Sequence, residues 1–184
     1  VGPQGDYIPV ILKSLPNYTI YVAKNAKPIN HTKARELDAK AEKLRKKHPL
    51  GYFTNVVKWK EEVRKDPLYH ECMKYLNDEE WMVKNYYPAE VGMLREPLKK
   101  AVEYMFTVRK GFRRPVSRIK VFILPYSLGP KVWGEEVNPY THSPYMQFNG
   151  PLMMKQKDTS VLRDNLMLTA VHELFHVVQS RYTY

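Results

Sequence analysis

Residues 169–179 read TAVHELFHVVQ and contain the pattern H-E-x-x-H. His172 and His176 are four positions apart, which on an α-helix corresponds to a rotation of about 400°, so their imidazoles share one face about one turn apart. Both side chains can therefore bind the same metal ion. Glu173 is offset by one position from His172 and points beside that ion, which suits a general base acting on metal-bound water.

The sequence around the motif predicts that it lies on a helix. Asp158, Thr159 and Ser160 are candidate N-cap residues, and apolar residues recur at helical spacing from there to about residue 179. This apolar side consists of Leu162, Leu166, Ala170, Val171, Leu174, Phe175 and Val178. The two histidines lie at its border, where a metal ion would sit between the helix and the rest of the domain.

The rest of the chain predicts mostly helices first and mostly strands later. Helical patterns cover residues 32–48, about 55–65, a stretch that starts at Asp66-Pro67, and 89–110. Strand patterns cover residues 18–22, 117–124 and 145–149, and a loop rich in Pro and Gly fills residues 125–144. This order predicts an α+β fold with a helix-rich N-terminal part and a small twisted β-sheet packed on the motif helix. We divide the chain into a helical N-terminal region at 1–88, which is an appended domain or a pro-segment, and a second domain at 89–184.

The motif and its flanking residues resemble the zincin metallopeptidases. The resemblance is specific over residues 169–179 and extends more loosely upstream. It implies a zincin-like fold in which His172 and His176 bind Zn²⁺. It also implies that Glu173 accepts a proton from a zinc-bound water, which hydrolyses a peptide bond in a peptide or protein substrate.

The same resemblance implies a strand that binds substrate. Tyr145, Gln147 and Asn149 would belong to an edge strand that holds an extended peptide by strand addition. The strand from Ile119 to Leu124 precedes it, as in the N-terminal half of a zincin catalytic domain. Residues 89–184 would then be that half, ending just after the motif helix.

The third zinc ligand distinguishes the zincin subfamilies. Metzincins continue H-E-x-x-H-x-x-G-x-x-H, whereas this chain has Gln179 and Tyr182 at the Gly and third His positions. Gluzincins take a Glu from a later helix, and the flanks of the motif are more similar to theirs, so we expect the third ligand beyond Tyr184. His142 is the leading candidate within the chain. Other candidates are Glu135, Glu136 and Asp158. With two ligands alone, the 184-residue chain is expected to be inactive or to bind zinc weakly.

The formal net charge of +11 is concentrated in part between Lys33 and Lys47, where seven of fifteen residues are Lys or Arg. Glu36, Asp38 and Glu42 interleave with them, which favours a solvated helix face. The functional interpretation is contact between this basic helix, residues 33–47, and an anionic surface such as a cell-wall polymer or nucleic acid. The sequence has neither zinc-finger Cys/His spacing nor an aromatic-basic RNA-binding motif, so no specific nucleic-acid partner is expected.

Features that bear on location are few. The single cysteine, Cys72, cannot form an internal disulfide, and no apolar run is long enough for a transmembrane segment. The chain starts at Val1, which indicates a processed or excised chain, and Asn17 and Asn30 each begin a glycosylation sequon. We expect a secreted or cell-surface location, and the sequence leaves a cytoplasmic one open.

Two other functions fit the same residues. The first is a non-catalytic basic binding module in which the H-E-x-x-H pattern is degenerate. The second is a zinc hydrolase that acts on substrates other than peptides. Replacing Glu173 by Gln separates them, because loss of hydrolysis with the metal retained indicates catalysis.

Overall fold

The computed structural model describes residue 3 and residues 5–51, 55–108, 118–127 and 145–182. These residues form two compact units, one made of Val1–Ala26 with Ala89–Tyr184 and the other of Lys27–Pro88. The predicted α+β fold is confirmed by seven α-helices and a four-stranded mixed sheet among the described residues.

The strands are β1 (Tyr7–Val10), β2 (Tyr18–Ala23), β3 (Ile119–Leu124) and β4 (Tyr145–Asn149). The first helices are α1 (His31–Lys47), α2 (Val56–Lys65), α3 (Pro67–Leu76) and α4 (Glu79–Trp81). The later helices are α5 (Ala89–Glu103), α6 (Gly150–Gln156) and α7 (Ser160–Tyr182), which carries the H-E-x-x-H motif. Two π-helical turns, Met82–Tyr86 and Tyr104–Val108, follow α4 and α5. No described helix is both long enough and apolar enough to cross a membrane.

The sheet has the strand order β1-β2-β3-β4. β1 pairs antiparallel with β2, whereas β2, β3 and β4 are parallel. Ile20, Val121 and Met146 are aligned across the three parallel strands and are almost completely buried. Tyr18 shares their face by strand alternation, and its hydroxyl donates a buried hydrogen bond of 3.0 Å to the carbonyl oxygen of Leu98. This bond fixes α5 against that face of the sheet.

Helix α7 packs against α5 and also contacts β4. Its buried residues Ala170, Leu174 and Val178 recur every fourth position and are each at most 1% exposed. This spacing forms a single stripe on the helix, as the apolar pattern predicts. The motif helix is therefore held from one side, and its opposite side carries the histidines. The sequence placed them at the border of the apolar side, and that placement is wrong because the buried stripe is narrower than predicted: Val171 and Phe175 are only partly buried.

Two leucines of α7 should respond very differently to the same substitution. Leu174 is fully buried, whereas Leu168 is 69% exposed. Leu174→Ala is expected to lower the free energy of unfolding by about 2–5 kcal/mol, because it leaves a cavity on the buried side of α7. Leu168→Ala should change it by less than about 0.5 kcal/mol. Urea denaturation measures both, and equal effects would contradict this packing of α7.

The structure divides the chain differently from the sequence at residues 1–26. The sequence places residues 1–88 in one helical N-terminal region. In the structure, β1 and β2 join the sheet through β3, so residues 1–26 belong to the same unit as 89–184. The sequence signal for β1 is weak because the strand has four residues and contains Pro9, a residue that sheets accept mainly at their edges. Whether Lys27–Pro88 is an appended domain or a pro-segment stays a prediction.

The unit Lys27–Pro88 is helical and closes on a small core. Leu37, Cys72 and Met82 are buried together, and partly buried aromatic rings pack around them. The side chain of Asn30 caps α1, and that of Asn55 caps α2. These caps satisfy backbone N–H groups that have no partner inside the helix, which fixes where each helix begins.

Asp66 links three parts of this unit. Its side chain is 4% exposed and its Oδ2 atom lies 2.9 Å from Lys47 Nζ and 2.7 Å from His48 Nε2. Its Oδ1 atom accepts a hydrogen bond of 2.9 Å from the backbone N–H of Leu68, which caps α3. Hydrogen bonds from Lys47, His48 and Leu68 hold the pKa of the Asp66 carboxyl well below its usual range.

Acid should therefore destabilise this unit through Asp66. Because the folded-state pKa is lowered, the stabilisation is complete above the ordinary value of 3.8 and is lost as the pH falls below it toward the folded-state value. Asp66→Asn is expected to melt at a lower temperature than wild type at pH 7, and the difference should shrink below about pH 4. Circular dichroism melts measure this, with Glu61→Gln as a control at an exposed carboxylate of α2. A difference that is independent of pH would exclude the Asp66 charge as its cause.

Candidate metal centre

The two motif histidines lie together on the exposed side of α7. Their Nε2 atoms are 3.1 Å apart. The ring centroids are 4.6 Å apart and the planes are nearly perpendicular, at 85°. At this distance the Nε2–H of one ring can donate a hydrogen bond to the Nε2 of the other.

The separation of the two nitrogens fits a shared zinc ion. Two nitrogens bound to tetrahedral zinc at about 2.0–2.1 Å each lie about 3.3 Å apart. The observed Nε2–Nε2 separation is 3.1 Å, so only a small adjustment would bring both atoms to one ion. Imidazole nitrogen is also a preferred zinc ligand. His172 and His176 therefore satisfy the distance and chemistry of two protein ligands.

Glu173 is partly buried next to this pair. Burial raises the pKa of its carboxyl group, and the neighbouring His172 and His176 oppose that effect. A carboxylate with a raised pKa holds a proton more readily, which is what a general base must do during a reaction near neutral pH. The role of Glu173 as a general base stays a prediction.

A wide groove borders His172 and Glu173. Its volume is about 1220 Å³. One wall comes from α5 and the π-helical turn after it, through Lys100, Tyr104 and Met105. The other wall comes from α7, through Met167, Leu168, Thr169, Val171, His172, Glu173 and Phe175. Most of these side chains are apolar, so the groove can take an extended chain with apolar groups.

The residues on the α5 wall were not identified from the sequence. Lys100 and Tyr104 are about seventy positions before the motif, and they reach it only because α5 packs on α7. A partial signal exists, since the helical spacing of Leu94, Leu98 and Ala101 shows which side of α5 is buried. It does not show that the partner of this side is the motif helix.

The three predicted substrate-binding residues lie on β4. Among the described strands β4 is at one edge of the sheet, the position at which strand addition takes place. The side chains of Tyr145 and Asn149 have structural partners, however. The Tyr145 ring packs edge-on against Phe122 at 5.4 Å, and Asn149 Oδ1 accepts a hydrogen bond from Leu152 N at the start of α6. Substrate contact by Tyr145, Gln147 and Asn149 stays a prediction.

No third ligand accompanies the two histidines within the described part of the chain. There, no cluster of three His, Cys, Asp or Glu residues suited to a metal ion is found. His142, Glu135 and Glu136 lie outside the described residues, as does Tyr184. The source of the third ligand therefore stays a prediction.

Comparisons of the chain with protein-family models, with curated proteins and with solved structures found no match. The function of this site is therefore inferred from its own residues and geometry. The site combines two imidazole Nε2 atoms 3.1 Å apart, the carboxylate of Glu173 next to His172, and an adjoining groove.

Proposed function

We propose that this protein is a zinc-dependent metallopeptidase of the zincin type. The observation that carries the proposal is the pair of Nε2 atoms 3.1 Å apart on His172 and His176, with Glu173 beside them. Both histidines are exposed and face away from the core, so they are not needed for packing. The adjoining groove supplies room for a polypeptide substrate.

The mechanism assigns a separate task to each motif residue. His172 and His176 would hold zinc, which when bound lowers the pKa of water and polarises the scissile carbonyl. Glu173 accepts the proton of the attacking water on its carboxylate and returns it to the departing amine. Partial burial of Glu173 supports the first transfer, because it favours the protonated carboxyl that this transfer forms.

The apolar groove walls have a positioning role in this mechanism. Tyr104 is 46% exposed and Leu168 is 69% exposed, so both offer surface to a bound chain. A substrate lying along them would cover His172 and Glu173 and exclude bulk water from the reacting atoms. Proton transfer would then occur in a less polar environment, where electrostatic effects are stronger.

A third protein ligand completes the proposed site. Catalytic zinc normally takes three protein ligands and a water, and two histidines alone bind it poorly. We therefore expect zinc titration of residues 1–184 to show weak binding. Tight binding of one zinc would contradict that expectation, and loss of the tight binding in His142→Ala would then identify His142 as the ligand.

A peptide library incubated with the protein and then analysed by mass spectrometry tests the proposal against its alternatives. The full natural chain is loaded with zinc and incubated with the library and, separately, with a set of esters. The proposal predicts new peptide termini that are absent when Glu173→Gln is used instead. Cleavage of esters but not of peptides would support a zinc hydrolase that acts on other substrates. Binding of peptides without any cleavage would support a non-catalytic binding module.

A further inference from the structure

A small crevice in the unit Lys27–Pro88 lies between α1 and the residues of α3 and α4. It is lined by Lys33, Glu36, Leu37, Lys40, Tyr75 and Trp81. Its volume is about 120 Å³, the space of about four water molecules at about 30 Å³ each. Drug-sized ligands occupy sites of about 300–1,000 Å³, so this crevice suits a single ring.

One wall of the crevice is aromatic and fixed in place. The rings of Tyr75 and Trp81 are 4.7 Å apart and inclined at 52°. Both are partly buried against the core formed by Leu37, Cys72 and Met82. Because the core holds them, these rings present a preformed apolar surface that loses little entropy when a ligand binds.

The opposite rim, on α1, carries charges of both signs. Lys33, Glu36 and Lys40 are three and four positions apart, so they share one flank of the helix. The Nζ atom of Lys40 lies 5.4 Å from the centre of the Tyr75 ring, within range of a cation–π interaction. In the described part of the chain Lys33 makes no ion pair. The rim therefore offers two ammonium groups to an acid and one carboxylate to hydroxyl donors.

We propose that this crevice binds an acidic sugar, with its acid group on Lys33 and Lys40, a hydroxyl on Glu36, and the apolar ring face on Tyr75 and Trp81. A simple anion would gain nothing from the aromatic wall and would be repelled by Glu36. A nucleobase stacks on an open, flat ring, whereas the Tyr75 and Trp81 rings are inclined at 52°. This site is separate from the zinc chemistry of α7 and does not depend on it.

NMR titration of the full chain with methyl β-glucuronide tests the proposal. Lys33→Ala/Lys40→Ala is expected to weaken binding about tenfold or more, because each charged hydrogen bond contributes appreciably. The matched control Lys43→Ala/Lys46→Ala removes the same charge from exposed positions of α1 outside the crevice, and should change affinity less than about twofold. Lys33, Lys43 and Lys46 are exposed and Lys40 is partly exposed. The spectra report whether each variant is folded.

A second variant should change the affinities for two probes in opposite directions. Glu36→Ala should weaken the binding of methyl β-glucuronide, because the acceptor for its hydroxyl group is lost. It should strengthen the binding of acetate, because the repulsion between two carboxylates is lost. Equal weakening by the two lysine pairs, or acetate binding wild type as tightly as the glucuronide, would overturn the proposal. Glycine binding more tightly than the glucuronide would also overturn it and would indicate a site for a zwitterion. Oligothymidylate binding more tightly would overturn it as well and would indicate a nucleic-acid surface.

Discussion

Glu173→Gln is expected to lower peptide hydrolysis by the zinc-loaded natural chain by about 10³-fold, within the range that general acid–base catalysis contributes. The amide has nearly the same shape as the carboxylate but cannot accept the proton of the attacking water. The packing of α7 should be unchanged, because Glu173 is only partly buried and the helix is held by Leu174 and its neighbours. The measurement is kcat/KM on a peptide that the wild type cleaves.

Two controls make that result specific. Glu103→Gln removes a carboxylate from an exposed position at the end of α5 and should leave kcat/KM within about twofold. Zinc affinity of Glu173→Gln should equal that of wild type, because the carboxylate acts beside the metal. Hydrolysis within about tenfold of wild type would exclude Glu173 as the base, and loss of zinc would make it a ligand.

In the natural chain, His172→Ala and His176→Ala are each expected to weaken zinc binding by at least about 100-fold. Changing residues that only support a ligand already costs about 10–100-fold in affinity, so removal of the ligand itself must cost more. Stability should be little affected, because both side chains are exposed. Competition with a chromophoric chelator measures the affinity in each variant.

His70→Ala is the matched control for the histidine variants. His70 is an exposed residue of α3 and begins a similar sequence, His70-Glu71-Cys72-Met73-Lys74, in which Lys stands where the second histidine would be. Zinc affinity should not change in this variant. If all three substitutions had the same small effect, zinc would be held by scattered surface histidines and no site would exist on α7.

The motif helix and its buried side were predictable because their signals are local. The four-residue spacing of Ala170, Leu174 and Val178 and the repeat of two histidines both depend on helix geometry alone. The strand Tyr145–Asn149 was also predicted with the bounds it has, since its apolar residues alternate and Gly150-Pro151 follows. Substrate binding by that strand stays a prediction.

The elements that were missed depend on competing local signals or on distant partners. In the sequence, Asn149-Gly150-Pro151 predicts the end of a strand. The same residues also fit a helix start, with Asn149 as the N-cap and Pro151 in the first turn, and α6 begins there. β1 forms only because β2 is available to pair with it in a sheet completed by β3, about a hundred residues later. The α5 wall of the groove likewise follows from helix packing, which no single stretch of sequence specifies.

Restoring zinc to metal-free protein tests the central claim most directly. The natural chain is stripped with a chelator, zinc is added back in known amounts, and the rate of peptide cleavage is measured at each step. We expect no cleavage without zinc. The rate of cleavage should then rise linearly with added zinc and reach a plateau at one zinc per chain, and Glu173→Gln should show no such rise. Cleavage that persists in the stripped protein, or that is equal in Glu173→Gln, would contradict it.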